Sequence, residues 1–435
     1  SAEPDQRALW LRVSPALSDG AADLLAAAPS IAADRSGTSL RLPFRGRGRF
    51  RGARAGDVVS DRVARLEVDL EAIAVLRAVL DEAQFDLAHQ SLRSEFASSP
   101  FANPAQLDDR LAALDPALAT ALRLFSLGNP IDAAELEARL GAEFIEAGLI
   151  TGLLSFDEAS GAFGTGGYAL ASRFGQYFVV SANPYMPNFL PANDNVYLGL
   201  DSFALANHLQ RLAGSFGKVE RALDLCAGSG IAGQSLARLA PSSQWTGVDL
   251  NDYAVAAANF NAALNALAPT YRAIQGDLDA GVEDRFDLIV ANPPFIPAPD
   301  GHAFPIYGGG GEDGLLVLRP LIAGLGAHLS ERGQAVIYGE GIGDDQRLFV
   351  QDCLEAVAQQ HGLNFKLIIF SDGPIERALY TLGVMLNNLK PSRLEEIVAW
   401  RELFQRQNAT RYAKFIVTAK RGAGNLAVTS LWKRP

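Results

Sequence analysis

Apolar residues recur at helical spacing from Val63 to His89 and again from Leu107 to Leu127, the pattern that lays one face of a helix on a core. Gly128-Asn129-Pro130 breaks the second run, and Asp132 is placed to cap a further helix ending near Leu140. Gly148-Leu149-Ile150 then reads as a turn region and Tyr177-Phe178-Val179-Val180 as part of a hairpin. Helix, turn, helix and hairpin in this order predict a mainly helical, winged-helix-like unit over residues 1–190. Asn183 to Asn195, NPYMPNFLPANDN, holds three prolines and four asparagines and reads as a linker. Beyond it, over residues 196–435, short apolar strands alternate with helices. Strands are expected at Ala222–Cys226, Gln244–Leu250, Tyr271–Gln275, Phe286–Ala291, Gln334–Gly339, Phe365–Phe370 and Tyr412–Ala419. Helices are expected at Ile231–Leu239, Tyr253–Leu267, Leu315–Leu329 and Asp345–Gln360, with an inserted helical segment over about 372–411. Such alternation predicts an α/β fold with a mostly parallel sheet, whose ligands bind beyond the carboxyl ends of the strands.

Composition narrows the class. The 435 residues allow two or three domains, and no apolar run approaches the roughly 18 residues of a membrane span. Cys226 and Cys353 form no CxxC pair, and the five histidines are scattered, which points to a reducing compartment, expected to be the cytoplasm, and to no metal site. The first ten residues include Glu3, Asp5 and Arg7 and lack the apolar run of a secretory leader. A net charge of −11 argues against nucleic-acid binding by the whole surface. Two segments depart from it: Arg41–Arg54 has six arginines and no acid, and Lys390–Pro435 has ten basic residues against three glutamates. The first is a solvated arm or an RNA contact with Phe44 and Phe50 for stacking; the second tilts the balance toward a nucleic-acid or ribosome-associated substrate.

Candidate chemistry sits at the ends of the expected strands. The first runs into Asp224-Leu225-Cys226-Ala227-Gly228-Ser229-Gly230-Ile231-Ala232-Gly233, where the glycines let backbone N–H groups approach an anionic ligand. Asp249, at the end of the second strand, can accept hydrogen bonds from both ribose hydroxyls of a nucleotide cofactor. These features suit NAD and S-adenosylmethionine (SAM) equally. Asp224 distinguishes them, because a carboxylate there holds a cationic amino group and repels a pyrophosphate. Asp277, in Gly276-Asp277-Leu278 after the third strand, can take the exocyclic amine of adenine. Asn292-Pro293-Pro294-Phe295 follows the fourth strand, and its two prolines fix the backbone and remove two donors, leaving carbonyls for a ligand. Cys226 reads as a packing residue of the loop, and Gly308–Gly311 as either a lid or a simple loop before a helix.

The set DLCAGSG, GVDLN, GD and NPPF, in this order, resembles the class I SAM-dependent methyltransferases, in the branch holding the HemK/PrmC glutamine methyltransferases, the RsmC-type ribosomal RNA guanine methyltransferases and the amino DNA methyltransferases. Upstream, VYLGLDSFAL (Val196 to Leu205) is similar to that branch's acid-Ser/Thr-x-x-Leu segment, and Gly310 to Leu315 is similar to its GGxxGL helix start. The resemblance covers roughly 196–343 and implies a Rossmann-like methyltransferase sheet. It implies a SAM site of Asp201, Ser202, Asp224, Cys226, Ala227, Gly228, Gly230, Asp249, Leu250, Asp277, Leu278 and Asn292. Asn292, Pro293 and Phe295 would act on the acceptor: the Asn292 side-chain oxygen and the Pro293 carbonyl each take one N–H of a planar nitrogen, and Phe295 stacks on it. Phe295 is as in the guanine-modifying group, whereas Ile296 is like the glutamine group. The expected acceptors are therefore a nucleobase in RNA or a protein glutamine of the translation machinery. A small-molecule amine is the alternative, and a nucleic-acid-binding regulator with a SAM-sensing domain a further one. A nicotinamide-dependent dehydrogenase is disfavoured by Asp224 and NPPF.

Overall fold

The computed structural model describes residues 65–88, 111–181, 196–389 apart from 280 and 303, and 391–431. The Arg41–Arg54 tract and the linker read at Asn183–Asn195 lie outside them. No helix among the described residues is long and apolar enough to cross a membrane.

The amino-terminal part opens with α1 (Leu70–Glu82), started by Asp69, whose carboxylate accepts from the Ala72 N–H. Asp115 and Pro116 start α2 (Pro116–Phe125) in the same way. Then come β1 (Ile131–Asp132), α3 (Ala133–Leu140), α4 (Ala142–Ile150), β2 (Ser155–Asp157) and β3 (Ala162–Gly164), with the strands in antiparallel order β1-β3-β2. This is the element order of a winged helix, with one helix more than the sequence pattern suggested. Gly148–Ile150 ends α4 rather than forming a turn. Gly148 is there for contact, since a Cβ would lie 2.4 Å from Leu154 Cγ. A second hairpin follows, β4 (Ala169–Arg173) and β5 (Gln176–Val180).

The carboxyl-terminal part starts with α5 (Leu200–Leu212) and continues through β6 (Arg221–Leu225), α6 (Ile231–Ala237), β7 (Gln244–Asp249), α7 (Asp252–Leu264), β8 (Tyr271–Gln275) and β9 (Phe286–Ala291). It ends with α8 (Leu318–His328), β10 (Leu329–Gly343), α9 (Val350–His361), β11 (Leu363–Pro374), α10 (Ile375–Leu389), α11 (Ile397–Arg406), β12 (Arg411–Arg421) and β13 (Leu426–Ser430). The strands form one sheet of order β13-β11-β12-β10-β9-β6-β7-β8. β10, β9, β6, β7 and β8 are parallel, while β12 runs antiparallel to both β10 and β11. The order reverses between β6 and β9, and the carboxyl ends at such a reversal are where α/β sheets bind ligands. β13, an edge strand parallel to β11, was not expected. β10 runs on past its expected end at Gly339 to Gly343, because Gly339 and Gly341 make room for the Phe415 ring, which a Cβ would meet at 2.5 and 3.2 Å.

The two parts share a core. Phe260, Ala257 and Leu264 of α7 pack with Leu76, Phe125, Phe144 and Tyr177 in one buried cluster. The contact is also polar. Asn265 accepts from the Tyr177 N–H at 2.8 Å and donates to the Tyr177 carbonyl at 2.8 Å. Asn261 does the same at Val179, at 2.7 and 3.1 Å, and also donates to the Ser229 carbonyl at 2.9 Å. The spacings agree: four residues of helix rise about 6 Å and two residues of strand about 6.6 Å, so amides at i and i+4 meet alternate residues of β5.

Candidate active site

The loop after β6 passes through Cys226 at φ 54°, Gly228 at 53° and Gly230 at 79°. Cys226 holds a left-handed conformation that a non-glycine residue adopts at a cost, a feature that gathers at functional sites. Burial pushes its thiol well above the ordinary range, in keeping with the packing role read from sequence. The Asp249 carboxylate braces the loop, accepting from the Gly228 N–H at 2.8 Å with one oxygen and from the Asn251 N–H at 2.9 Å with the other. Burial raises its pKa, and each oxygen keeps a lone pair for a further donor. Asp224 is 1% exposed; its Oδ2 accepts from the Gly233 N–H at 2.9 Å and the Tyr271 hydroxyl at 3.0 Å. Burial pushes this carboxyl up to about 7, which makes it a site that a cation would ionise. Ser229 Oγ is buried without a hydrogen-bond partner. Leu250 is 50% exposed beside Asp249, Asp277 is exposed after β8, and Leu278 sits at φ 53°.

Asn292 follows the last residue of β9. Its Nδ2 donates to Asp201 Oδ2 at 2.7 Å, while its Oδ1 is buried without a partner. Asp201 lies in the first turn of α5, and its Oδ1 accepts from the Tyr197 hydroxyl at 2.8 Å. The Tyr197 ring stacks on Tyr307, centroids 4.8 Å apart and planes within 7°. Ser202 Oγ is 3.5 Å from Asn292 Nδ2, at the outer limit of a hydrogen bond. The Phe295 ring lies 5.7 Å from that of Tyr338.

The chain after Phe295 is pinned from two sides. The Ile296 N–H donates to the Gly308 carbonyl and the Gly310 N–H to the Ile296 carbonyl, both at 2.8 Å, so the glycine run is a ladder partner of this loop and not a free lid. Gly310 is required by closeness: a Cβ would lie 2.8 Å from the Phe295 carbonyl carbon. From the other side the inserted segment presses down, with the fully buried Trp400 donating its indole N–H to the Pro297 carbonyl at 2.5 Å. His302 packs edge-on to the same indole, 5.5 Å between centroids.

Next to Phe295, Tyr338 donates to buried Glu340 at 2.7 Å, and Lys414, directly across on β12, donates to the same oxygen at 2.7 Å. The Tyr412 hydroxyl donates to the other oxygen. Burial raises the Glu340 carboxyl while Lys414 pulls it back.

The residues read from sequence thus fall into two neighbouring groups, a loop-and-carboxylate group at the ends of β6, β7 and β8 and an Asn292–Asp201 group at the end of β9. Tyr197, Ser229, Tyr307 and Glu340 were not singled out. The first three lie inside or beside quoted motifs and could have been noted as polar residues there. Glu340 is defined by a partner 74 positions away.

Residues 199–303, which span the reversal of the parallel sheet and the Asn292 turn, match the family model of the methyltransferase small domain. Over 164 residues the chain is 29% identical to the ribosomal protein uL3 glutamine methyltransferase of Francisella tularensis subsp. tularensis, covering 36% of this chain and 49% of that one. Over 125 residues it is 35% identical to the release factor glutamine methyltransferase of Deinococcus radiodurans, covering 27% and 44%. The chain spans about half the length of the curated relatives it matches. A solved ribosomal protein L11 methylase from Lactobacillus delbrueckii subsp. bulgaricus aligns with 38% of this chain and 71% of that one at 24% identity, with a TM-score of 0.29.

Proposed function

We propose that this chain is a SAM-dependent N-methyltransferase whose acceptor is a glutamine carboxamide in a protein of the translation machinery, working in the cytoplasm. The observation that carries the reading is the unpartnered, buried Oδ1 of Asn292, an acceptor held ready for an N–H that the protein itself does not supply. Asp224 suits the cationic amino group of SAM, Asp249 its ribose hydroxyls, Leu250 and Asp277 its adenine, and the 226–230 loop its carboxylate. Ser202, Cys226, Ala227, Gly228, Gly230 and Leu278 complete this lining. When bound, SAM supplies an electrophilic methyl group on a sulfonium sulfur.

The chain's own residues do the rest. Asn292 Oδ1 accepts one N–H of the carboxamide and the Pro293 carbonyl the other, which turns the nitrogen lone pair out of conjugation and fixes its direction. Phe295 covers the flat face of the amide. Once the nitrogen carries the methyl group its N–H is acidic, and the proton passes to water without a dedicated base. Residues 1–190 would select the acceptor and 196–435 carry the transfer, with the 372–411 insertion shaping the acceptor loop through Trp400.

Charge supports a protein over an RNA acceptor. The winged-helix stretch 131–165 has seven acids and one arginine, and its α4, in the place of a groove-reading helix, exposes Glu143 and Glu146. Such a face repels a phosphate backbone. The relatives named for glutamine methylation of uL3 and release factors favour the same side.

The test incubates the full chain with radiolabelled SAM and purified uL3, release factor or ribosomal RNA, and maps the label by mass spectrometry. A methylated glutamine in either protein is expected. Asn292→Ala should lower transfer by roughly 100-fold or more and leave S-adenosylhomocysteine affinity within about threefold by calorimetry. Label in RNA alone rejects the acceptor, and absence of S-adenosylhomocysteine binding rejects the enzyme.

A further inference from the structure

We propose that Asp201 is a positioning residue for Asn292 rather than a ligand of the cofactor. The inference rests on the methyl-transfer reading and assigns to Asp201 a different role within it. A primary amide has two ends of nearly equal shape, one accepting and one donating. An acceptor N–H is held only when the oxygen end faces it; the reverse orientation sets two donors against each other. A carboxylate accepts and does not donate, so the end of Asn292 that faces Asp201 Oδ2 at 2.7 Å is the NH₂ end. This leaves Oδ1 pointing where it is found, buried and without a partner. A flip of the amide would break a charge-assisted hydrogen bond and bring two oxygens together.

Asp201 is itself fixed. Its residue exposure is 8%, and its second oxygen is taken by the Tyr197 hydroxyl at 2.8 Å. Tyr197 in turn stacks on Tyr307, which lies in the loop laddered to the residues after NPPF. A continuous path therefore runs from the acceptor loop through Tyr307, Tyr197 and Asp201 to the Asn292 amide. Each Asp201 oxygen accepts from a side chain of that path, Asn292 on one side and Tyr197 on the other, so the carboxylate is built into it.

The side-chain amide of Asn292 gives a readout independent of any acceptor. In full-length protein labelled with ¹⁵N-asparagine and saturated with S-adenosylhomocysteine, its proton pair is assigned by its loss in Asn292→Gln. One proton should lie downfield and exchange at least about tenfold more slowly than in Asp201→Ala, while S-adenosylhomocysteine affinity changes less than about threefold. With uL3 or release factor as acceptor, Asp201→Ala should lower kcat roughly 10- to 100-fold with little change in KM, the scale of a misplaced reacting group. Asp201→Asn, whose side-chain oxygen still accepts from Asn292, should recover most of that loss. Tyr197→Phe should give a smaller loss of the same kind. An Asn292 proton pair unchanged in Asp201→Ala overturns the proposal. So does a tenfold loss of S-adenosylhomocysteine affinity at unaltered kcat, which would make Asp201 a cofactor ligand. If the wild-type chain methylates neither protein, the proposed function fails, and the amide readout alone decides the role of Asp201.

Discussion

Asp224 links the candidate site to solution pH. Burial raises its pKa from 3.8 in the unfolded chain to about 7 in the folded one, so the folded state binds the proton more tightly. That contribution to stability is complete below about pH 4 and is lost as pH rises toward 7. Asp224→Asn removes the dependence and keeps an oxygen for the Gly233 N–H and Tyr271 hydroxyl. The melting temperature of the wild type should therefore fall by a few degrees relative to the variant between pH 5 and 8, by scanning calorimetry; parallel curves would mean that Asp224 is ionised throughout. Its existence was legible from its place at a strand end before a glycine loop, and its environment was not, because Tyr271 lies 47 positions away. The same holds for Asn292, where the motif marks the residue and only the fold discloses that one end of the amide is bound and the other bare.

At the level of elements, sequence reading succeeded where a strand is bounded by residues with no other local use. The expected Tyr271–Gln275 and Phe286–Ala291 coincide with β8 and β9, β6 is shifted by one residue at each end, and β7 is one residue shorter. It failed where a glycine serves packing. Gly148 looked like a turn and lies inside α4 against Leu154, and Gly339 and Gly341 looked like a strand end and lie under Phe415. The contact a glycine allows is made by a residue remote in sequence or around a turn, so composition alone cannot separate the two uses. Gly310 makes the distinction testable. Gly310→Ala puts a methyl against the Phe295 backbone, and methyl transfer should drop at least about tenfold with S-adenosylhomocysteine affinity retained. Unchanged transfer would show that the acceptor loop adjusts freely.

The described parts of the chain are joined through α7, and disrupting that helix should be felt in both. Phe260→Ala is expected to lower unfolding free energy by about 3–5 kcal/mol in urea titrations. Asn261→Ala, which leaves the Val179 N–H, the Val179 carbonyl and the Ser229 carbonyl without that amide, should cost about 3 kcal/mol. Hydrogen exchange should place the Val179 amide among the slow protons of α7 in the wild type and among the fast ones in Asn261→Ala; fast exchange in both would mean that the hairpin opens on its own. None of this coupling is visible in a reading that divides the chain at Asn183–Asn195, since nothing in the sequence marks Asn261 and Asn265 out within the expected helix Tyr253–Leu267. Tyr177-Phe178-Val179-Val180 is an apolar stretch of high strand propensity in a sheet of only two strands, and a bare edge of that kind recruits strands from neighbouring molecules. Asn261 and Asn265 occupy the outward backbone groups of Tyr177 and Val179 as a third strand would. Two side-chain amides thus close an edge of β5 that a further strand would otherwise fill.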